Sequence, residues 1–374
     1  MNEDKSARYH RLKRRADLLG TALSAAFLLW LLISGTGFYV REVSSFLGGF
    51  TPGYEEIATV AVFAIVLSLA LQLLTLPLSH YQGYRLEHEY GLSNQTLGQW
   101  TRDQVKAVAL GSLLSAVGAS IVYAALRESP SWWWAISAGV LSVILVGIVQ
   151  LAPVVLLPLF YTFKPLDRPA LVDRLLALAT RARTHIVGVY EWVLSAHTKK
   201  ANAALAGLGR TRRILLADTL LADYSDDEIE VILAHELSHH VNHDLWRGVA
   251  LQTLLLFVSF YIAHLLLTAL GTPLALRGLD DPAGMPLLLL VGGACSLMFM
   301  PLANAVSRAH ERRADRFALD MTNRSAAFIS AMKRLSQQNL AEERPSPIVR
   351  WLFYSHPPIR ERIEAARRWE QEKA

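Results

Sequence analysis

Six long apolar stretches divide this chain and decide what it can fold into. They lie at about residues 18–40, 57–78, 105–126, 132–160, 249–270 and 285–306. Each is at least as long as the roughly 20 residues that a helix needs to cross a bilayer core. Apolar residues make up 52% of the sequence and charged residues 18%, a balance well to the hydrophobic side of soluble proteins. We therefore predict a mainly α-helical, polytopic membrane protein with about six transmembrane helices.

The basic residues indicate how the chain crosses the membrane, because cytoplasmic loops collect Lys and Arg. If the N-terminus lies inside, the three outer loops hold only three of the 37 basic residues: Arg41 in 41–56, Arg127 in 127–131 and Arg277 in 271–284. We therefore expect both termini on the cytoplasmic side. The net charge of +5 follows from the same asymmetry. Since no nucleic-acid motif accompanies it, the charge favours contact with the lipid bilayer and no nucleic acid.

The order of apolar and polar stretches predicts two domains. Residues 1–160 form an N-terminal membrane domain with four spans. Residues 161–374 form a second domain, which includes two further spans at about 249–270 and 285–306 and a cytoplasmic C-terminal tail. The polar parts of this second domain have to assemble beside the spans.

The polar stretch after the fourth span combines helix and strand signals. Residues 171–183 have the pattern of a short helix. Residues 186–194 are rich in Val, Ile and aromatic side chains, and a second pair of strands is predicted at 201–206 and 212–217. We therefore expect a small β-sheet in the second domain.

The segment SDDEIEVILAHELSHHVNHD carries the clearest chemical signal. Ser225 and Glu228 have the spacing of a capping box, so a helix should begin there. His235 and His239 stand one helical turn apart, so both can bind one metal ion. Glu236 stands beside the first histidine, where it can take a proton from an attacking water. This is the HExxH arrangement of zinc peptidases.

A third ligand has to come from elsewhere, because catalytic zinc keeps three protein ligands and one open position. His243 is too far from His235, about 12 Å along the helix axis. The better candidates lie after the last span, where Glu311 and Asp315 stand four residues apart on a predicted helix. One can bind zinc while the other accepts the ring N–H of a ligand histidine. We expect one zinc ion per chain.

Six segments occur in the same order as in the type I CAAX prenyl endopeptidases, which the sequence resembles over about residues 70–370. They are LPLSHYQGYRLEHEYGLSNQ, LLPLFYTFKPL, ANAALAGLGRTRRILLADTLL, the HExxH helix, SRAHERRAD and YSHPPIRERI. Members of that family are integral-membrane HExxH metallopeptidases. The resemblance implies a gluzincin-like zinc metallopeptidase domain on the cytoplasmic side.

The resemblance also assigns the central residues of such a site. It implies that His235, His239 and Glu311 bind zinc and that Glu236 is the catalytic base. Asp315 keeps the role expected above, as the partner of a ligand histidine.

Four further residues receive roles only through the resemblance. It implies that Asn202 and Ala203 line the cleft and pair with the substrate backbone. His356 and Arg362 are implied as donors near the scissile carbonyl. The expected partner is a peptide or protein substrate, prenylated in the family that the chain resembles.

The implied function is a zinc metalloendopeptidase acting on membrane-associated or lipidated, CAAX-type prenylated proteins. HELSHHVNHD is closer to the heat-shock-type membrane metalloproteases. We expect a bacterial-type inner membrane in preference to the endoplasmic reticulum. Ser238, Ala204 and Lys200 depart from the prenyl-protease pattern around the cleft. A general membrane-protein quality-control protease is therefore the alternative. A catalytically idle membrane scaffold is a minor alternative, since an idle relative is expected to lose Glu236 or a ligand.

Reporter fusions test the predicted orientation. Fusions near residues 48 and 277 should report an extracytoplasmic location, and fusions near 95, 200 and 370 a cytoplasmic one, because the basic residues cluster in the latter segments. A cytoplasmic signal at 277 would contradict the six-span topology.

Overall fold

A computed structural model describes residues 4–151, 155–207 and 211–373 of the chain. Six of the described helices are long and apolar enough to cross a membrane: Lys5–Ile33, Glu55–Glu89, Leu97–Glu128, Trp133–Leu151, Asp244–Leu270 and Pro282–Thr322. The prediction of a mainly helical chain with about six spans is confirmed. The fourth predicted stretch, 132–160, includes residues 152–154, which lie outside the described residues.

The first half of the chain is helical. Its elements are α1 (Lys5–Ile33), α2 (Thr36–Gly48), α3 (Glu55–His80), α4 (Leu86–Glu89), α5 (Leu97–Glu128) and α6 (Trp133–Leu151). A π-helical turn, Tyr81–Arg85, joins α3 to α4. The predicted bounds of the first span, 18–40, are wrong at both ends. The helix begins earlier and ends at Ile33, because Gly35 takes a left-handed φ of 75° and α2 starts anew.

The membrane helices pack around large buried side chains. Trp133 is fully buried, and its Nε1 donates a hydrogen bond to Nδ1 of His264 at 3.0 Å. Polar groups inside a membrane need such partners, because lipid offers none. The histidine in the fifth span therefore has a packing role between α6 and the span that contains it.

The described part of the second half of the chain combines a small sheet with eight α-helices. In chain order these are β1 (Thr162–Pro165), α7 (Pro169–Arg181), β2 (Gly188–Val193), β3 (Ala203–Ala206), β4 (Arg213–Ala217), α8 (Asp218–Asp223), α9 (Asp226–Val241), α10 (Asp244–Leu270), α11 (Met285–Thr322), α12 (Ser325–Gln338), α13 (Pro347–Phe353) and α14 (Ile359–Lys373). The predicted helix at 171–183 and the three predicted strands are confirmed within a few residues.

The described strands form one sheet in the order β1-β2-β4-β3. β2 and β4 are parallel, and the outer strands pair antiparallel with them. β1 was not expected from the sequence. β4 is central, with Ile214 and Leu216 fully buried, whereas β3 is an edge strand and contacts α9.

Within the described residues, the junctions at the two ends of the α10–α11 pair connect membrane helices to the helices around the sheet. Two residues, Asn242 and His243, separate α9 from α10, and His243 takes a left-handed φ of 55° that turns the chain. α11 has 38 residues, a length of about 57 Å, while a bilayer core is about 30 Å thick. Its last turns therefore extend beyond the membrane and pack against α9.

Candidate metal centre

The HExxH helix, α9, is held by its cap and by its apolar face. Ser225 accepts a hydrogen bond from the Glu228 backbone, and the Glu228 side chain accepts one from the Ser225 backbone. This reciprocal pair confirms the predicted capping box. Ile229, Leu233 and Leu237 are buried within 1% exposure. With this face fixed against the core, the histidines one turn apart point to the neighbouring α11.

Two imidazoles and one carboxylate converge between α9 and α11. The ring centroids of His235 and His239 are 5.0 Å apart. Nε2 of His235 lies 3.3 Å from Oε2 of Glu311, and Nε2 of His239 lies 3.5 Å from its Oε1. One ligand atom from each residue lies within 4.8 Å of the others. These three residues form the histidine–glutamate cluster.

The hydrogen bonds within the cluster leave a carboxylate oxygen poorly satisfied, as expected of a metal site. Oε2 of Glu311 is buried, and apart from Nε2 of His235 at 3.3 Å it has no hydrogen-bond partner among the described residues. A buried carboxylate oxygen with so little hydrogen bonding is costly unless something binds it. Two imidazole nitrogens and a carboxylate are the ligands of one common class of zinc site, so the residues fit zinc.

Asp315 lies one turn beyond Glu311 and contacts the other side of the first histidine. Its Oδ1 is 2.9 Å from Nδ1 of His235. Burial lowers the pKa of His235, but the carboxylates of Asp315 and Glu311 outweigh burial and raise it to about 9. In the neutral ring that binds a metal, an Nδ1–H donated to Asp315 leaves Nε2 as the ligand atom.

Arg362 on α14 neutralises Asp315. Its Nε and one terminal nitrogen donate to the two carboxylate oxygens, at 2.8 and 2.5 Å. The same terminal nitrogen lies 3.4 Å from Nδ1 of His235. Both side chains of the pair are less than 10% exposed. The arginine therefore contacts the cluster through Asp315 and His235.

Sequence reasoning missed Asp244, the corresponding partner of the second histidine. Its Oδ2 lies 3.0 Å from Nδ1 of His239, and its side chain is buried at 6% exposure. Arg313 on α11 forms an ion pair with it. The signal was an aspartate five residues after His239 in HELSHHVNHD, but only the left-handed turn at His243 brings it back to the ring.

The catalytic candidate Glu236 and the loop histidine His356 lie around the cluster. Glu236 is partly exposed. Burial raises the pKa of its carboxyl, and this effect outweighs the lowering by the positive charges of the two histidines. Nε2 of His356 lies 3.3 Å from Oε1 of Glu311, while its side chain is 60% exposed. A carboxyl with a raised pKa and an exposed ring at one site are suited to proton transfer and hydrogen-bond donation.

The two remaining predicted residues lie at the beginning of β3. Asn202 is exposed immediately before the strand, and Ala203, its first residue, is half-buried. Within residues 4–151, 155–207 and 211–373, no hydrogen bond or ion pair joins either residue to the histidine–glutamate cluster. Their position is the edge of the sheet beside α9.

Two protein families match the chain, and together they cover nearly all of it. Residues 2–162 match the CAAX prenyl protease N-terminal family, which is described as five membrane helices, and residues 165–370 match peptidase family M48. Four of the spanning helices in the described residues lie within 2–162. The shorter α2 is a further helix of this region.

Several known proteins are similar over most of their length. The uncharacterized metalloprotease YhfN of Bacillus subtilis is 30% identical, over 97% of this chain and 84% of its own. The CAAX prenyl protease 1 homolog of Arabidopsis thaliana is 28% identical, over 85% of this chain and 75% of its own. The crystal structure of S. mikatae Ste24p has a TM-score of 0.82 and covers 97% of this chain and 88% of its own, at 23% identity. The similarity to the Ste24p structure shows that the two proteins share a fold.

Fold and cluster together define an integral, multi-pass membrane metallopeptidase. The family matches identify the family: the chain belongs to peptidase family M48 and is a metalloendopeptidase. The resemblance to CAAX prenyl endopeptidases is thereby confirmed.

The buried Arg362–Asp315 pair predicts a large effect on stability. Arg362→Met leaves Asp315 buried without its cation, and breaking such a pair costs about 3 kcal/mol or more. The unfolding temperature of the purified protein in detergent should fall clearly. Arg360→Met is the matched control on the same helix, because its pair with Glu364 is exposed at 56% and 44% and surface pairs contribute little. Equal shifts for both variants would contradict the assignment.

Proposed function

We propose that this protein is a zinc endopeptidase that cuts membrane-associated or lipidated proteins at the histidine–glutamate cluster. The observation that carries this proposal is the placement of both histidine rings. Each has its Nδ1 against a buried aspartate, Asp315 or Asp244, and its Nε2 against Glu311. This arrangement presents two Nε2 atoms and one carboxylate to a single ion.

His235, His239 and Glu311 would hold the zinc ion. A zinc ion bound there polarises a carbonyl and makes water more acidic. The protein's own contribution is to keep the ligands in place before the ion arrives. Asp315 and Asp244 fix the two ring tautomers, and Arg362 holds Asp315.

The remaining chemistry belongs to side chains around the cluster. Glu236 accepts the proton of the attacking water and passes it to the leaving amine. His356, exposed beside Glu311, donates a hydrogen bond to the oxyanion that develops on the scissile carbonyl. Arg362 was the other expected donor, but its contacts with Asp315 favour a positioning role.

The edge strand β3 supplies a place for an extended peptide. Asn202 immediately precedes β3 and Ala203 begins it, and the outer edge of β3 is not paired by another described strand. A peptide can add to such an edge through backbone hydrogen bonds. The substrate would then lie alongside α9, with its scissile bond near the cluster.

The names of the relatives favour CAAX-type substrates, since several are CAAX prenyl proteases. Ala204, Lys200 and Ser238, which depart from the prenyl-protease pattern, favour wider specificity, and general membrane-protein quality control stays the second candidate. A catalytically idle scaffold would not need to retain Glu236 together with the three metal-binding candidates, His235, His239 and Glu311. From the distribution of basic residues, we further propose that the termini and the site face the cytoplasm. We also propose that the membrane is of the bacterial inner-membrane type, as the similarity to YhfN of Bacillus subtilis favours.

Metal content tests the ligand assignment. The purified protein should hold about one zinc per chain, because two imidazoles and one carboxylate converge. His235→Ala, His239→Ala and Glu311→Ala should each lose it, as measured by elemental analysis. His185→Ala is the control, since His185 is exposed in the connection between α7 and β2. Full zinc occupancy in the Glu311 variant would remove that residue from the ligand set.

Peptide turnover tests the substrate class. A farnesylated CAAX peptide and its unprenylated counterpart should both be cut, with a preference below about a hundredfold for the lipidated one. Burial of about 15 lipid carbons at roughly 0.8 kcal/mol per methylene could support a far larger preference if a dedicated lipid site existed. The comparison requires constant detergent, because micelles also bind the lipid.

Three outcomes of this experiment are distinct. A preference above a hundredfold would indicate a dedicated prenyl-protein peptidase. Cleavage of both peptides within that limit supports the broader specificity. Failure to cut either peptide, with the metal bound, would contradict peptidase activity on such substrates.

A further inference from the structure

The short helix α13 carries two large apolar side chains that stay exposed among the described residues. Ile348 is 70% exposed and Trp351 is 56% exposed. They stand three residues apart, so they are neighbours on one face of the helix. Single apolar residues are ordinary on a protein surface, whereas adjoining ones mark a contact with another molecule or with a membrane. The place of α13 in the fold decides between these partners.

Hydrogen bonds to α11 fix the level of α13 along the last span. Nδ2 of Asn304 donates to the carbonyl of Leu352 at 2.6 Å. One terminal nitrogen of Arg308 donates to the carbonyls of Arg350 and Tyr354, at 3.2 and 2.5 Å. These carbonyls belong to the last turn of α13 and the residue that follows it. The end of α13 is therefore held against about one turn of α11.

That turn of α11 lies where the span leaves the bilayer core. The helix begins at Met285, and Asn304 stands 19 residues later, about 28 Å along the axis. A bilayer core is about 30 Å thick. Arg308, the first charged residue of α11, follows one turn beyond Asn304. The exposed face of α13 is therefore level with the boundary between acyl chains and headgroups.

A second tryptophan marks the same level on α10. Asp244, the first residue of α10, forms an ion pair with Arg313 and lies 3.8 Å from His310 of α11. Trp246 stands two residues further into the span, about 3 Å along the axis, and is 45% exposed. Tryptophan is enriched at membrane interfaces because its ring is apolar and its N–H is polar. Trp246 and Trp351 thus indicate one interface from two helices.

The chain leads directly from α13 to the loop that carries His356. Trp351 stands five residues before this histidine. Tyr354, between them, is tied to α11, because its carbonyl accepts a hydrogen bond from the buried Arg308. Nε2 of His356 lies 3.3 Å from Oε1 of Glu311 on the same helix. A displacement of α13 from its level would therefore also displace His356 from the site.

We infer that α13 is an interfacial anchor, whose Ile348 and Trp351 enter the boundary layer of the bilayer and thereby hold the His356 loop at the site. The partner of the exposed face is the lipid that already surrounds the last span. Amphipathic helices bind in this layer with their apolar face among the upper acyl chains. The membrane contact is independent of the proposed function, whereas its effect on turnover rests on that function.

Spin labels test the contact in the full-length, zinc-loaded protein. Ile348→Cys is made in a Cys295→Ala background, which removes the single native cysteine, and is labelled with a nitroxide in phosphatidylcholine vesicles. Met298→Cys, exposed within the last span, is the lipid reference. Arg368→Cys, exposed on α14, is the aqueous reference. The measured quantity is the accessibility of each label to oxygen, which concentrates in lipid, relative to a water-soluble nickel chelate.

The ratio of oxygen to chelate accessibility at position 348 should be well above that at 368 and close to that at 298. A ratio equal to that at 368 would overturn the inference, because the label would then lie in water. A label at 348 that is shielded from both reagents would also overturn it. That pattern indicates a protein partner, such as a second copy of the chain.

Turnover of a water-soluble peptide in the same vesicles tests the coupling to the site. The double variant Ile348→Ser, Trp351→Ser should keep about one zinc per chain and have a kcat at least about fivefold lower, because misplaced groups lose catalysis. Trp351→Phe keeps an apolar ring and should retain most of the kcat. Val187→Ser is the matched control, since Val187 is an exposed apolar residue between α7 and β2. An unchanged kcat in the double variant would overturn the coupling.

Two further results separate the inference from a failed variant or a failed function. If the double variant loses its zinc or unfolds, Trp351→Ser alone is compared with Trp351→Phe, and equal kcat values would overturn the coupling. If the wild type with bound zinc cuts no peptide, the proposed function is wrong and the coupling falls with it. The label at position 348 then still decides whether α13 contacts the bilayer, because its accessibility does not depend on turnover.

Discussion

The buried contact between Asp315 and Arg362 is the interaction on which the site depends. It joins α11 to α14, and through His235 it reaches α9. A carboxylate and a guanidinium inside a protein are tolerated only when they are paired, so these three helices have to meet in one arrangement. Because α11 is continuous with the last span, the same contact aligns the ligands with the membrane helices. Asp244, at the start of α10, contacts Nδ1 of His239 and thereby joins α9 to the fifth span.

Much of the fold follows from short-range patterns in the sequence. The six spans come from hydrophobic length, the start of α9 from its capping box, and three strands from their composition. β1 was missed because Thr162–Pro165 is four residues long and contains a proline. Its pairing with β2 is a contact between distant parts of the chain. The break at Gly35 was missed because an apolar stretch does not reveal where its helix turns left-handed.

Helical spacing predicted which site residues share a helix face, but it did not predict the contacts between helices. Four-residue spacing places His235 beside His239, and Glu311 beside Asp315, on single helix faces. Which carboxylate meets Nε2 and which meets Nδ1 depends on how α11 packs against α9, which spacing does not reveal. The contact between Asp244 and His239 was hidden for a similar reason, since it requires the left-handed turn at His243.

The most direct measurement is the metal content and turnover of Glu236→Gln. This change removes the proton acceptor but leaves the three ligand residues in place. We expect about one zinc per chain, as in the wild type, and a kcat for peptide cleavage at least about a hundredfold lower. Turnover close to that of the wild type, with zinc bound, would contradict a hydrolytic site at which Glu236 acts as the base.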